Sequence, residues 1–361
     1  MKDTTMAVKE SIIPFYAKAT MQLIGLCVFI GILYVLQPLI VPLIFAMLIA
    51  IVLNPVVSFF LRLKMNRIVS ITLAITVAFL VITIICFLLF SQVSRFSESW
   101  PGLVDKLGEM LNQTITWISK HFKIDQQNIQ KWISNTKGDI LKNSSAVIGI
   151  TLMSVGSFIM IIVLVPVYIF LLLYYKPLLL QFIYSLFGSK HQFEVVEVTA
   201  QTEILIQRYL IGLLIEALII ATLNSIGLLI LGIDFAIMLA IIGALVNVIP
   251  YIGGIVAVTL PILMALATKS PVYALYVMAI YFFIQLIDNH YIVPIIVASK
   301  VKINALFSIL IVLAGNALWG IPGMFLSIPL LAIVKLIFDH IENLKPLGLL
   351  LGDSLPVDKQ N

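Results

Sequence analysis

The chain has 361 residues, of which 61% are hydrophobic and 11% are charged. Soluble domains carry about 25% charged residues, so this composition argues against a soluble protein. The basic residues behind the net charge of +5 are scattered rather than clustered, which argues against a nucleic-acid partner. Apolar runs of about 20 residues recur along the chain, and each can cross a bilayer as a helix. We therefore predict an all-α polytopic membrane protein with about eight membrane segments.

The first 94 residues are predicted to hold three N-terminal spans, at residues 21–36, 38–61 and 68–94. The loop after the second span carries three basic residues, Arg62, Lys64 and Arg67. Short loops rich in Lys and Arg stay in the cytoplasm. We therefore place this loop and both chain termini on the cytoplasmic side of the membrane.

Residues 95–145 form a polar region whose apolar residues, from Leu103 to Phe122, recur at helical spacing. This pattern predicts a small extracytoplasmic helical segment. The segment can lie on the membrane surface, cap the helical bundle or contact another copy of the chain. Residues 146–207 follow, with a fourth span kinked near Pro166 and a polar, helical cytoplasmic connector.

Residues 208–340 are predicted to form the transport core, and residues 341–361 a cytoplasmic tail. Beyond a fifth span, two apolar stretches are too long for one ordinary crossing, and each is interrupted by an amide, a proline and glycines. In lipid, the backbone groups freed by such a break must be satisfied by protein or by a water-filled cavity. The breaks therefore mark a candidate binding site. They contain Asn247, Pro250, Gly253 and Gly254 in the first stretch, and Asn316, Gly320, Pro322 and Gly323 in the second.

Two topologies remain open for these stretches. If each one is a helix–break–helix hairpin, Lys300 and Lys302 fall in the cytoplasm, as the charge rule prefers, and Lys269 lies outside. If each one is a single long kinked helix, the lysines at 300 and 302 fall outside. We favour the two hairpins.

The hairpin topology also predicts an inverted repeat, a design common in secondary transporters. Span five with the first hairpin would face opposite to span seven with the second. Polar and proline positions recur at nearly constant spacing, in the pairs Glu216 and Gln285, Asn247 and Asn316, and Pro261 and Pro329.

Ionisable residues inside a membrane span are rare and usually functional. Glu216 stands alone in the run LLIEALIIA, which suits a group that couples transport to a proton or cation, although a structural carboxyl paired with Arg208 is the alternative. Gln285, Asp288 and Asn289 share one helix face. They can line a cavity, or they can clamp two helices together.

The asparagines at the two breaks, Asn247 and Asn316, can donate and accept hydrogen bonds to a polar solute or a monovalent cation. The glycines, Gly253, Gly254, Gly320 and Gly323, allow the backbone to approach a ligand or a neighbouring helix. We expect no metal site and no cofactor. The chain carries no nucleotide-binding or hydrolase motif, so we do not predict an enzyme.

Several segments together resemble one family. They are LNPVVSFFLRLKMNR, VNVIPYIGG, QLIDNHYIVP and GNALWGIPGMFLSIPL. In this order they are similar to the AI-2E family of bacterial transporters, across nearly the whole chain. The matching positions include Asn247, Pro250, Gly253, Gly254, Gln285, Asn289, Pro294, Gly320, Gly323 and Pro329. Where family members often carry a proline before the last apolar stretch, this chain has Asn304.

The resemblance implies a multi-pass protein of the bacterial inner membrane that forms homo-oligomers, in particular pentamers. It also implies export of a small polar solute such as the quorum-sensing signal autoinducer-2, or exchange of Na⁺ or Li⁺ for H⁺. A membrane scaffold without transport activity is a further alternative. The expected partners are the lipid bilayer, a small polar solute, and H⁺ or Na⁺.

Overall fold

The structure is a computed structural model that describes residues 14–122, 155–249, 253–297 and 303–353. Ten α-helices follow in these ranges: α1 (Phe15–Val35), α2 (Gln37–Arg62), α3 (Arg67–Phe122), α4 (Val155–Leu186), α5 (Gly188–Ile230), α6 (Ala236–Asn247), α7 (Gly253–Thr268), α8 (Pro271–Ile287), α9 (Ala305–His340) and α10 (Lys345–Leu351). A π-helical segment, Asp288–Val297, continues α8, and a 3₁₀ turn, Glu342–Leu344, joins α9 to α10. The predicted all-α fold is confirmed. Pro250, Lys300 and Lys302 lie outside the described residues.

Seven described helices are long and apolar enough to cross a membrane, while α6 and α7 are too short to do so alone. The 12 residues of α6 span about 18 Å, against a hydrocarbon core of about 30 Å. The two short helices therefore form one membrane segment together. In the described residues, α1 to α5 and α8 are six single spans, α6 with α7 forms one hairpin, and α9 folds back on itself as a second. The total of eight agrees with the predicted number of membrane segments.

The first hairpin consists of α6 and α7, packed antiparallel about the break. A residue of α6 and a residue of α7 at similar distances from the break lie opposite each other. A Cβ placed on Gly253 would lie 2.9 Å from the carbonyl carbon of Asn247, and one on Gly243 would lie 3.4 Å from the Cβ of Ala257. The missing side chain at position 253 therefore lets the two helices start side by side.

The second hairpin lies within α9. Gly320 has φ 64° and ψ −143°, a conformation that side-chain-bearing residues rarely adopt. Beyond it the chain turns back, because Gly315 packs against Ser327 and Gly323. Residues 12 apart in a straight helix would be separated by about 18 Å. In the described residues both stretches fold back as hairpins and neither is a single long kinked helix, while the membrane side on which each hairpin begins stays a prediction.

The helix α3 is continuous through position 94 and has 56 residues, so the polar region begins as an extension of the third span. This extension packs over the outer end of the first hairpin. The Leu103 side chain is 7% exposed and lies in a cluster with Met238 and Ala265. The ring of Phe96 meets Phe235 edge to face, with the centroids 5.6 Å apart. The contacts favour the interpretation of this segment as a cap, although residues 123–145 lie outside the described ranges.

The second hairpin is embedded between α2 and α5. Their shared core contains Leu48, Ile206 and Leu326, each at most 1% exposed, and Phe45 stacks on Phe325 with ring centroids 5.6 Å apart. At the tip, the indole N–H of Trp319 donates a hydrogen bond of 3.1 Å to the carbonyl of Leu33 in α1. This contact ties the first span to the hairpin.

The order helix then hairpin occurs twice in the described chain, once as α5 followed by α6 and α7, and once as α8 followed by α9. Pro261 and Pro329, which the sequence pairs across the repeat, are both fully buried, and each lies on the second arm of its hairpin. The opposite orientation of the two units in a membrane stays a prediction.

The packing around Gly315 predicts that Gly315→Ala destabilises the second hairpin. The added methyl group has to displace Ser327 or the backbone at Gly323, and overpacking of this kind costs about 1–3 kcal/mol. We expect a lower free energy of unfolding in detergent micelles. The matched control is Gly102→Ala, because a Cβ at Gly102 meets nothing within 4 Å. Equal stability of the two variants would contradict the hairpin contact.

The hairpins also predict the side of the membrane on which two exposed positions lie. In a background without Cys27 and Cys86, Lys269→Cys should react with an impermeant maleimide from the periplasmic side, and Glu342→Cys from the cytoplasmic side. The reason is that a hairpin returns to the face from which it started. Labelling of both positions from the same face would contradict the topology.

Candidate functional site

A cavity of about 1290 Å³ lies between α5, the tip of the first hairpin, the α8 helix with its π-helical continuation, and the arms of the second hairpin. Apolar side chains from α7 and α8 form much of its wall. The polar and charged residues that line it are Tyr209, Glu216, Asn247, Tyr281, Gln285, Asp288, Asn289, Ser308, Lys335 and Asp353.

Asp288 is the centre of the polar cluster and is 1% exposed. The side-chain amide of Asn247 donates to its Oδ2 at 3.1 Å, and the amide of Gln285 reaches the same oxygen at 3.4 Å. Gln285 also donates to Oδ1 of Asn289 at 3.2 Å. The hydrogen bond from Asn247 therefore joins the broken end of α6 to the face of α8 that the sequence predicted to be polar.

The helix changes its winding at this point, since α8 ends at Ile287 and the π-helical segment begins at Asp288. Insertions that widen a helical turn occur frequently at functional sites. Pro294 lies inside the π-helical segment, and a proline removes one backbone hydrogen bond. The wider winding places Asp288 and Asn289 at the cavity together with Gln285, one turn earlier.

Two polar atoms at the cavity are buried without a hydrogen-bond partner among the described residues, Oδ1 of Asp288 and the hydroxyl of Tyr281. A buried polar atom without a partner costs free energy, and such atoms are usually satisfied by water, an ion or a ligand. The cluster therefore has unused capacity to bind a polar molecule or a cation.

Glu216 enters the cavity from α5 and is 5% exposed. It lies close enough to Asp288 for the two carboxylates to interact electrostatically. Arg208, the partner considered from the sequence, is exposed, and no ion pair joins it to Glu216 among the described residues. The arrangement brings two carboxylates into one cavity, where a cation between them would relieve their repulsion.

Gly254 provides the room for this cluster. A Cβ at this position would lie 2.8 Å from Oε1 of Gln285 and 3.4 Å from Oδ1 of Asn247. The two amide oxygens therefore converge on the bare glycine backbone while their NH₂ groups point to Asp288. Amide and carboxylate oxygens are the ligands that hard cations prefer.

Six of the residues that the sequence singled out meet in the cavity: Glu216, Asn247, Gly254, Gln285, Asp288 and Asn289. Gly253 instead packs between the arms of the first hairpin, and Gly323 packs between the arms of the second. Asn316 is exposed, and Gly320 forms the turn at the hairpin tip. The second break therefore does not face the cavity, which the second hairpin reaches only through its arms.

The sequence did not single out five polar lining residues, Tyr209, Tyr281, Ser308, Lys335 and Asp353. Tyr281 precedes Gln285 by four positions, so helical spacing alone could have placed it on the polar face. Lys335 is an isolated charge in an apolar run, the same signal that identified Glu216. Its ammonium group forms an ion pair of 2.6 Å with Asp339.

A bundle of apolar helices with a carboxylate-lined cavity at a helix break is typical of membrane transport proteins. The model of the AI-2E transporter family matches residues 23–343. The chain belongs to this family.

Several relatives share most of their length with the chain. YueF of Bacillus subtilis, provisionally named a transport protein, is 26% identical over 334 residues, which cover 86% of this chain and 88% of YueF. The AI-2 transport protein TqsA of Escherichia coli is 24% identical over 324 residues, covering 87% and 90% of the two chains. YhhT of Escherichia coli, also provisionally named for transport, is 22% identical over 343 residues, covering 93% and 94%.

The hydrogen bond between Asn247 and Asp288 predicts a loss of stability in Asn247→Ala. Removing a donor to a buried carboxylate costs about 1–3 kcal/mol. We expect the free energy of unfolding in micelles to fall by this amount, and to fall less when Asp288→Asn is already present. Asn112→Ala, at an exposed position, is the control. Additive effects of the changes at positions 247 and 288 would show that the two side chains do not interact.

Proposed function

We propose that the protein is a secondary transporter that exports a small polar solute through this cavity, with the export coupled to H⁺ or Na⁺. The observation that carries the proposal is the convergence of Glu216 and Asp288 with the Asn247 amide at a broken helix. This site offers donors and acceptors to a solute and negative charge to a coupling ion. The name of TqsA, an AI-2 transport protein, supports autoinducer-2 or a similar molecule as the solute to test first.

The geometry supports a mechanism in which the tip of the first hairpin responds to binding. Asn247 is held in place by Asp288, so an ion that binds Asp288 competes with the amide for the same carboxylate. Release of the amide removes the side-chain bond that holds the end of α6, a helix of only 12 residues. Ion binding and hairpin position would then depend on each other, as coupled transport requires.

Exchange of Na⁺ or Li⁺ for H⁺ is the second candidate, and the oxygen atoms around Gly254 favour it. Asn247, Gln285 and Asp288 present amide and carboxylate oxygens within one small region. A site of this kind can bind a monovalent cation without a solute, and protons can compete for the carboxylates.

We further propose that the protein lies in the bacterial inner membrane with both termini in the cytoplasm, in line with the basic loop at residues 62–67. The homo-oligomer implied by the family, a pentamer, is part of this proposal. The α1 helix has little buried surface in a single chain, so its apolar side chains are available to lipid or to a further copy.

Transport in proteoliposomes tests the proposal through Glu216→Gln, which removes one charge while preserving size. We expect flux of autoinducer-2, or Na⁺-driven proton movement, to fall about tenfold or more, because losing one charged contact is worth at least about 1.4 kcal/mol. The matched control is Glu194→Gln, at an exposed position outside the cavity. Asn247→Ala should reduce the same flux.

The results separate the candidates. Solute flux that depends on Glu216 supports export, and cation-driven proton movement without solute flux supports antiport. Unchanged flux in both cavity variants would contradict the assignment of the site. Absence of any gradient-driven flux in the unmodified protein would favour the non-transporting scaffold.

A further inference from the structure

The C-terminal part of the described chain folds back across one end of the cavity. After α9 the backbone turns at Ile341, passes through the 3₁₀ turn and α10, and reaches Gly352 and Asp353, both of which line the cavity. We call residues 341–353 the strap. Gly352 and Asp353 line the same cavity as Ile303 and Lys335, so the end of the strap forms part of the cavity wall.

The strap is fastened mainly through Asn304, the residue that begins α9. Its backbone N–H donates to the carbonyl of Leu351 at 3.0 Å, and its side-chain amide donates to the carbonyl of Leu350 at 2.7 Å. Next to these bonds, Ile303 and Gly352 form a single antiparallel bridge. The same Asn304 side chain accepts a bond from the N–H of Phe307 at 3.0 Å, which caps α9. One side chain thus caps the helix and fastens the strap.

A second attachment lies on the outgoing arm of the second hairpin. Gly348 packs directly against the carboxylate of Asp339, where a side chain would collide. Asp339 is the partner of Lys335, and the Cε of Lys335 lies 3.5 Å from the Cβ position of Gly352. The strap therefore rests on an ion pair whose cationic member lines the cavity.

The attachments are few and local, which suits a part that opens. A single β-bridge, rather than a full β-strand, pairs the strap with Ile303. The helix α10 has only seven residues. Ile341 is in extended conformation between α9 and the 3₁₀ turn, and a residue that ends a helix in this way is a position at which a hinge can act. Of the leucines in α10, Leu351 is buried, at 8% exposed, while Leu349 and Leu350 remain exposed.

We propose that the strap is a gate for one end of the cavity, closed by the Asn304 latch and opened by rotation about Ile341. The role as a transport gate rests on the proposed function, whereas the opening and closing of the cavity do not. By the charge rule, this gate faces the cytoplasm, because Lys345 lies within it. Alternating access requires one such closure at each end of a binding site.

Cysteine labelling tests the gate without any transport assay. In a background with Cys27→Ala and Cys86→Ala, Val293→Cys places a thiol in the cavity wall. Asn304→Ser keeps a side-chain acceptor for the N–H of Phe307 but cannot span the distance to Leu350. We expect an impermeant maleimide to label position 293 about fivefold faster in Asn304→Ser, the factor that one net hydrogen bond is worth. Equal labelling rates with and without Asn304→Ser would overturn the proposal. Asn304→Ala also loses the helix cap, so faster labelling in Asn304→Ala alone would overturn it as well.

A disulfide lock gives the opposite perturbation. Bridged residues on antiparallel segments lie at a separation that a disulfide can span, so Ile303→Cys with Gly352→Cys should join the strap to its latch. Oxidation should slow the labelling of position 293, and reduction followed by removal of the reductant should restore it. Labelling is measured on the peptide that contains position 293, because the reduced thiols at 303 and 352 also react with maleimide. Flux should stop and recover in parallel.

The two readouts separate the two proposals. If the unlocked protein shows no flux while labelling still follows the latch, the proposed function fails and the strap remains a gate. If oxidation leaves both labelling and flux unchanged although the disulfide has formed, the strap is a fixed wall and the inference is wrong.

Discussion

The fold depends on how the backbone is satisfied where a helix stops inside an apolar bundle. At the end of α6 the chain leaves the helical hydrogen-bond ladder beside Asn247, in surroundings where free polar groups cost several kcal/mol in lipid. Local backbone bonds continue on both sides of the break, from the N–H of Ile249 to the carbonyl of Val246 and from the N–H of Gly253 to the carbonyl of Ile249. The side chain of Asn247 donates to Asp288, so the same break also brings a polar group to the cavity.

The two hairpins satisfy the same constraint in different ways. The second one closes its break by packing, with Gly315, Gly323 and Ser327 in direct contact, and the Trp319 indole bonded to α1. The polar side chain of this break, Asn316, is exposed and does not line the cavity. The first hairpin brings the Asn247 side chain to the cavity, next to Asp288 of the π-helical segment, whose Oδ1 is buried without a hydrogen-bond partner among the described residues. This difference argues that the second hairpin is a scaffold element, while the first carries the chemistry.

The sequence was sufficient to predict the fold class, the two hairpins and the group of Glu216, Asn247 and Asp288, because each depends on a local signal. A charge in an apolar run, a spacing of three or four residues and a proline–glycine break can all be recognised without tertiary structure. The role of Asn316 could not be predicted in this way, since the two breaks look alike in sequence and differ only in what packs against them. Asp353 joins the cavity through contacts between distant segments, and no local pattern specifies such contacts.

The cavity has an uneven distribution of charge that follows from this assembly. Glu216 and Asp288 line it from α5 and the π-helical segment, while Lys335 of α9, which pairs with Asp339, lines it together with Asp353 of the strap. A cation that reaches the two carboxylates neutralises their charge, and opening the strap removes Gly352 from its place beside Lys335. Both events alter the electrostatic surroundings of one cavity, in which charges interact more strongly than in water. Ion binding and gate opening can therefore influence each other through the field in the cavity, without a rigid mechanical connection between the first hairpin and the strap.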